Sequence, residues 1–136
     1  MMTRQDLALV GGVALGGAIG SVARYLLGTF VQGRAGPSFP LGTLLINIVG
    51  SFLIGVILEM ALDASAMSPL ARLFLATGFC GGFTTFSTFS YETARLVEEG
   101  EATRAVVYVM LSVGVSLTAT LLGFMLVRRL LGARGP

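Results

Sequence analysis

Histidine, cysteine and charged residues are scarce in this 136-residue chain, which has no histidine, one cysteine and 12% charged residues. A single cysteine excludes an intrachain disulfide. Without histidine, and with no obvious thiolate partner for Cys80, the chain lacks the ligands of a zinc site and the parts of a nucleophilic triad. It also lacks a P-loop for nucleotide phosphates and a long basic run for nucleic acid. We therefore expect neither an enzyme nor a nucleic-acid-binding protein.

Apolar residues make up 54% of the chain, and the few charges are segregated. A soluble domain carries about 25% charged residues, so this composition favours lipid as the solvent. Four stretches without charge, residues 7–23, 35–58, 73–91 and 105–127, hold 17, 24, 19 and 23 residues. Each suits a membrane-spanning helix, which needs roughly 17–25 residues. The sequence therefore predicts an all-α integral membrane protein with four transmembrane helices in one domain.

The four predicted helices cover about residues 5–30, 41–62, 69–97 and 104–131. In the first of them, Gly12, Gly16 and Gly20 lie four residues apart on one face. That spacing lets the backbone of another helix approach closely in lipid. We expect this helix to belong to the mature protein, because the pattern of a cleaved signal peptide followed by a soluble domain is missing.

The third predicted span is the least lipid-like, with the sequence GFCGGFTTFSTFSYE over residues 78–92. Its three glycines weaken a helix by about 1 kcal/mol each relative to alanine, and we expect an unwound turn near residues 80–84. Non-helical backbone at membrane depth is buried in protein or lines a wet cavity. If two copies meet here, the carbonyl groups of Gly81 and Thr84 can bind a hard monovalent cation. The alternative is a simple kink healed by the hydroxyl groups of Thr84 and Thr85.

Beyond the break, Phe86 and Phe89 lie three residues apart and share a helix face. The edge of an aromatic ring is positive, so two ring edges, the hydroxyl groups of Ser87 and Thr88, and the amide of Asn47 can coordinate a small anion. Such sites are weak enough for the ion to leave, as conduction requires. The competing interpretations are core packing for the two phenylalanines and contact between helices for Asn47.

Two further features of the predicted spans carry polar groups. Arg24 lies near the end of the first span, where it is either an interface anchor or part of an aqueous vestibule. In the fourth helix, Tyr108, Ser112 and Ser116 lie four residues apart and form a weak polar stripe. A hydroxyl in such a stripe can equally bond back to its own helix.

The arginines give only a weak preference for one orientation in the membrane. If both termini lie on one side, that side holds Arg4, Arg72, Arg128, Arg129 and Arg134, and the other holds Arg34, Arg95, Arg104 and, at a span end, Arg24. The positive-inside rule needs a clear excess to fix the orientation. We therefore expect the chain to insert both ways, which makes an antiparallel dimer possible.

Three sequence blocks together resemble the Fluc fluoride channel (CrcB) family: GGAIGSVARY at residues 16–25, GTLLIN at 42–47, and the block at 78–92. The likeness covers essentially the whole chain. It implies a dual-topology, antiparallel homodimer in the cell (inner) membrane with two fluoride pores. It also implies a structural Na⁺ that is not transported, and passive export of fluoride from the cytoplasm.

The resemblance also implies roles for individual residues. It places the central Na⁺ on the main-chain carbonyl groups of Gly81 and Thr84, and it places Arg24 near the aqueous entrance. The residues that it assigns to the anion pore are Asn47, Phe86, Phe89, Ser87, Thr88, Tyr108 and Ser112.

Two other functions are compatible with a small four-helix membrane protein. A proton-coupled multidrug exporter can also insert both ways, but it needs an ionisable residue in mid-membrane. Here Glu59 and Glu92 lie near span ends. A purely structural protein would explain the glycines but not the polar, broken third segment.

Overall fold

The computed structural model describes residues 2–62 and 66–132, and these residues form helices joined by short turns. Helices α1 (Arg4–Ala35) and α2 (Leu41–Met60) come first, and α6 (Ala102–Gly132) comes last. Between them lie α3 (Pro69–Arg72), a π-helix (Leu73–Cys80), α4 (Gly81–Phe83) and α5 (Phe86–Glu98). Arg134, one of the arginines used above to judge orientation, is outside the described residues.

Three described helices are long and apolar enough to cross a membrane: α1, α2 and α6, with 32, 20 and 31 residues. They correspond to the first, second and fourth predicted spans. The outer faces of α1 and α6 expose large apolar side chains such as Leu15 and Met110, which suits contact with lipid. The chain is therefore a multi-pass membrane protein.

Helix α1 begins and ends on recognisable capping signals. The Thr3 hydroxyl accepts a hydrogen bond from the Asp6 N–H at 3.1 Å, and the Thr3 N–H donates to the Asp6 carboxylate at 2.9 Å. This capping box satisfies free N–H groups of the first turn. The helix stops before Gly36, whose φ of 78° is a backbone conformation open mainly to glycine.

Close backbone contacts join α1 to the π-helix and α4. A Cβ atom on Gly16 would meet the Phe74 carbonyl oxygen, and one on Gly78 would lie 2.8 Å from the Val13 carbonyl oxygen. Because only glycine leaves room at both places, the two helices touch backbone to backbone. The predicted close backbone approach is confirmed at Gly16 and Gly20, whereas Gly12 faces the side chain of Leu70.

The break in the third segment lies slightly later than the sequence indicated. We predicted an unwound turn near residues 80–84, but Cys80 to Phe83 is helical and the extended residues are Thr84 and Thr85. Gly82 stays helical because it packs against the backbone of Gly17, where a Cβ atom would clash. This glycine permits close packing, and the two threonines interrupt the helix.

Candidate functional site

Two extended threonines form the break. Thr84 has φ −80° and ψ 159°, and Thr85 has φ −151° and ψ 112°. The Thr84 hydroxyl donates back to the Cys80 carbonyl at 2.9 Å. The Thr85 hydroxyl accepts from the Thr88 N–H at 3.1 Å and so caps α5. Side-chain oxygens thus take over part of the hydrogen bonding that a continuous helix would supply.

Asn47, in the middle of α2, binds the backbone of the break. Its Nδ2 donates to the Thr85 carbonyl at 3.1 Å, and its Oδ1 accepts from the Thr85 N–H at 2.9 Å. The amide therefore satisfies both polar groups of one extended residue, as a neighbouring strand would. Helix α2 approaches closely enough because it carries Gly50 one turn further on, where a Cβ atom would clash with the Thr84 methyl group.

Helix α1 contacts the break from the other side. Arg24 Nη1 donates to the Thr84 carbonyl at 3.3 Å, and Ser21 Oγ lies at the outer limit of hydrogen bonding, 3.5 Å, from the Gly82 carbonyl. Together with Asn47, these side chains bind the carbonyl groups of Thr84 and Thr85 at the break and that of Gly82 just before it. Within residues 2–62 and 66–132, no donor reaches the carbonyl group of Gly81, which is exposed.

A cavity of about 520 Å³ opens beside the break, between α2, the π-helix, α5 and α6. It gathers six of the ten residues to which the sequence assigned roles. These six are Asn47, Gly81, Thr84, Phe86, Phe89 and Ser112. The predicted polar and aromatic groups therefore share one space, although they come from three segments of the chain.

The two predicted pore phenylalanines differ sharply in exposure. Phe86 is 79% exposed at the cavity, whereas Phe89 is 9% exposed and belongs to a small core with Leu44, Leu96 and Tyr108. Their ring centroids are 5.5 Å apart at an interplanar angle of 48°. Core packing thus describes Phe89, but it does not describe Phe86 within one chain.

The remaining predicted residues lie elsewhere around α5. Arg24 and Thr88 line a second cavity of about 320 Å³ between α1, α2 and α5. The Ser87 hydroxyl is 3.3 Å from the Thr85 hydroxyl. Tyr108 is fully buried. The structure thus places the predicted site on both sides of α5 and not in a single pocket.

The structure also shows a polar cluster in which Tyr108, assigned to the anion pore, meets Thr43 and Glu92, two residues with no role assigned from the sequence. The Glu92 carboxylate accepts from the Thr43 hydroxyl at 2.9 Å and from the Tyr108 hydroxyl at 2.7 Å. Each of the three residues comes from a different helix. The one signal in the sequence was an acidic residue in an apolar segment, which requires hydrogen-bond donors nearby.

Two serines of α6 have buried hydroxyl groups without a partner among the described residues, Ser112 and Ser116. From the sequence, each of these hydroxyl groups can bond to a carbonyl group of its own helix. In the structure neither makes such a hydrogen bond. Both serines line the cavity of about 520 Å³. A buried hydroxyl without a partner is costly, so these two can donate to a species that occupies the cavity.

Comparison with known proteins places this arrangement in a family. A family described as CrcB-like protein, Camphor Resistance (CrcB), matches residues 12–124. A Geobacter sulfurreducens protein named fluoride-specific ion channel FluC is 52% identical over 118 residues, which are 87% of this chain and 95% of that protein. Proteins of the same name from Thermus thermophilus and Rhizobium meliloti are 51% and 47% identical, over 88% and 85% of this chain and 94% and 93% of their own lengths. The chain belongs to the CrcB-like family.

Proposed function

We propose that this chain is a fluoride-selective ion channel that exports F⁻ passively from the cytoplasm. The observation that carries the proposal is the cavity beside the break, where an amide, hydroxyl groups and an exposed phenyl ring converge without a formal charge. The names of the relatives, all fluoride-specific ion channels, support the identity of the ion.

The chemistry of these groups suits a small, hard anion. Hydroxyl and amide N–H groups donate hydrogen bonds, and the positive edges of Phe86 and Phe89 add weak attraction. A fixed positive charge would bind the anion too tightly for rapid exit. Fluoride that enters as neutral HF ionises in the cytoplasm, and the membrane potential drives the anion out. Asn47, Ser87, Thr88 and Ser112 provide the donors along the path. Tyr108, also assigned to the path, donates its hydroxyl proton to Glu92, so it would act by holding that carboxylate and not by binding the anion.

The functional unit is an antiparallel, dual-topology homodimer in the cell (inner) membrane. In each copy, residues 69–98, with the break at Thr84 and Thr85, form the third span along the chain, in addition to α1, α2 and α6. The face that carries exposed Phe86 and Gly81 supports a second copy as its cover, because one chain leaves the cavity open there. Each copy then completes the cavity of the other, which gives two pores.

The carbonyl groups of Gly81 and Thr84 fit a structural Na⁺ on the dimer axis. The Gly81 carbonyl has no donor in the described part of the chain, and extended Thr84 directs its carbonyl out of the helical pattern. When bound, the cation would supply positive charge to these oxygens and join the two copies. Among residues 2–62 and 66–132, no three acidic, cysteine or histidine side chains come together as a metal site. Carbonyl oxygens can replace the water shell of a hard monovalent cation.

A small dual-topology multidrug exporter coupled to protons is the second candidate, and Glu92 is the observation that favours it. This carboxylate is held by two hydroxyl groups inside the helix bundle, where an exporter could bind and release protons. The other acidic residue near a span end, Glu59, is 2.7 Å from Arg128 and is neutralised by it. An exporter would move an organic cation and would not conduct fluoride.

Fluoride efflux from liposomes tests the proposal. The purified protein is reconstituted, the liposomes are loaded with fluoride or chloride, and efflux is started with a potassium ionophore. We expect rapid fluoride efflux and little chloride efflux, with empty liposomes as the control. Absence of fluoride efflux from correctly inserted protein would refute the channel, and proton-coupled uptake of an organic cation would favour the exporter.

A further inference from the structure

Arg24 places a fixed positive charge next to the carbonyl group of Thr84. Its Nη1 is 3.3 Å from that oxygen, and the side chain is half-buried between α1 and the break. Arginine stays protonated at any physiological pH. Within the described residues, Arg95, Arg104 and Arg128 form ion pairs and Arg24 forms none. No carboxylate therefore neutralises the charge of Arg24 locally.

The same carbonyl group is one of the two that fit a structural cation. A carbonyl oxygen has two lone pairs, so it can accept from the guanidinium and still coordinate a cation with the other. We propose that Arg24 determines the charge selectivity of this cation site, admitting monovalent cations and rejecting divalent ones. The inference rests on the proposed Na⁺ site.

Ligand chemistry alone would not exclude a divalent ion. Calcium binds backbone carbonyl oxygens at distances like those that suit sodium, and the oxygens of Gly81 and Thr84 carry no feature that distinguishes the two ions. Repulsion from a fixed charge does distinguish them, because Coulomb energy is proportional to the charge of the cation. If Arg24 weakens Na⁺ binding by a given factor, it weakens Ca²⁺ binding by the square of that factor.

Exclusion of divalent ions also suits the neighbouring anion path. Phe86 and Ser87 follow Thr84 within three residues. A divalent ion at Thr84 would add a strong positive charge beside the hydroxyl groups and ring edge that bind the anion weakly. Fluoride would then bind too tightly to leave quickly. Arg24 already places one positive charge beside Thr84, and a divalent ion would add two more, so its exclusion limits the positive charge next to the anion path.

The test measures cation-dependent stability and needs no flux. The homodimer in detergent is heated in chloride salts of Na⁺, Ca²⁺ or N-methyl-D-glucamine at one ionic strength, and unfolding and dimer fraction are followed. For the native protein we expect stabilisation by Na⁺ at concentrations where Ca²⁺ gives none, and a half-saturating Ca²⁺ concentration far above that of Na⁺. Arg24→Gln, which keeps an N–H donor, should lower the half-saturating Na⁺ concentration and lower that of Ca²⁺ by the square of the same factor.

Three further variants make the test specific. Arg24→Lys keeps the charge and should still exclude Ca²⁺. Arg24→Met removes charge and donor together, so it remains as a neutral variant if Arg24→Gln does not fold. Arg34→Gln is the matched control on the same helix, because the Arg34 guanidinium lies 3.6 Å over the Phe30 ring and not at the break. Its cation preference should equal that of the native protein.

The possible outcomes distinguish an error about the role of Arg24 from an error about the sodium site itself. If Na⁺ gives the native protein no more stability than N-methyl-D-glucamine does, the proposed sodium site is wrong, whatever Arg24 does. If Na⁺ stabilises the native protein but both neutral variants still exclude Ca²⁺, the inference about Arg24 is overturned and the sodium site stands.

Discussion

The two halves of the broken third segment fold against different neighbours by different means. The first half, residues 69–83, lies against α1 through backbone contacts at Gly78 and Gly82. The second half, α5, is amphipathic and packs Phe89 and Leu96 against α6, while Phe86 remains exposed. The first half therefore depends on small residues and the second on specific side chains. In one segment, therefore, glycines can provide the close packing, while the residues that follow them provide the polar and aromatic contacts.

The largest effect is expected where the two halves meet, at Asn47. Asn47→Leu leaves the N–H and carbonyl groups of Thr85 without partners, at about 1–3 kcal/mol each. We expect severe loss of folded protein, measured as the amount of folded protein recovered and its thermal stability in detergent. Asn47→Asp keeps the acceptor for the Thr85 N–H, so it should fold better and still slow fluoride efflux by its negative charge. Equal stability of Asn47→Leu and native protein would contradict the role of the amide.

A glycine substitution tests whether the first half needs small residues. In Gly16→Ala the new Cβ would meet the backbone of Phe74, and such overpacking costs about 1–3 kcal/mol. Gly11→Ala is the control on the same helix, because no neighbouring heavy atom lies within 4 Å of the added Cβ. We expect Gly16→Ala to lower the unfolding temperature and Gly11→Ala to leave it unchanged. If the two variants behave alike, close backbone contact does not hold the first half.

Phe86→Ile tests whether the second half carries the chemistry. The side chain is 79% exposed in one chain, so its replacement should cost little stability within the fold. If the ring edge contributes about as much as in an aromatic pair, about 0.5–1.5 kcal/mol, its loss should slow fluoride efflux by about two- to thirteenfold. Phe30→Ile is the control, since Phe30 is also exposed, at 59%, but lies far along α1. Unchanged efflux by Phe86→Ile in liposomes would remove the aromatic edge from the pore.

The smallest effect is expected at the start of the second half. Thr85→Val removes the side-chain oxygen that caps α5 and should cost about 1 kcal/mol of stability. Thr85→Ser keeps that oxygen and should recover most of the loss. Chemical denaturation in mixed micelles would measure both variants. A Thr85→Ser protein as unstable as Thr85→Val would show that the methyl group, and not the cap, matters here.

The charge-free apolar stretches of the sequence predicted the three long helices well. The predicted bounds of 5–30, 41–62 and 104–131 lie close to α1, α2 and α6. The break was predicted a few residues early. A cluster of glycines can mean that a helix unwinds, but it can also mean that the helix packs closely against a neighbour. Only the position of α1 decides between these outcomes, and that position depends on contacts between distant parts of the chain.

The types of residue in the candidate site could be predicted from the sequence, but their hydrogen-bond partners could not. A buried amide at Asn47 had to find donors and acceptors, yet nothing in its sequence neighbourhood identified Thr85. The cluster of Thr43, Glu92 and Tyr108 was missed for the same reason, since three helices bring it together. Ser116 was noted only as part of a weak stripe, and its free hydroxyl became apparent from its burial.

The two extended threonines have an electrostatic consequence. They end one helical run at Phe83 and start another at Phe86, so the C-terminus of one helix and the N-terminus of the next lie side by side within the broken third segment. The peptide dipoles of the first give its end partial negative charge, and those of α5 give its start partial positive charge. A cation and an anion can thus each be attracted within a few residues, by a backbone that carries no net charge.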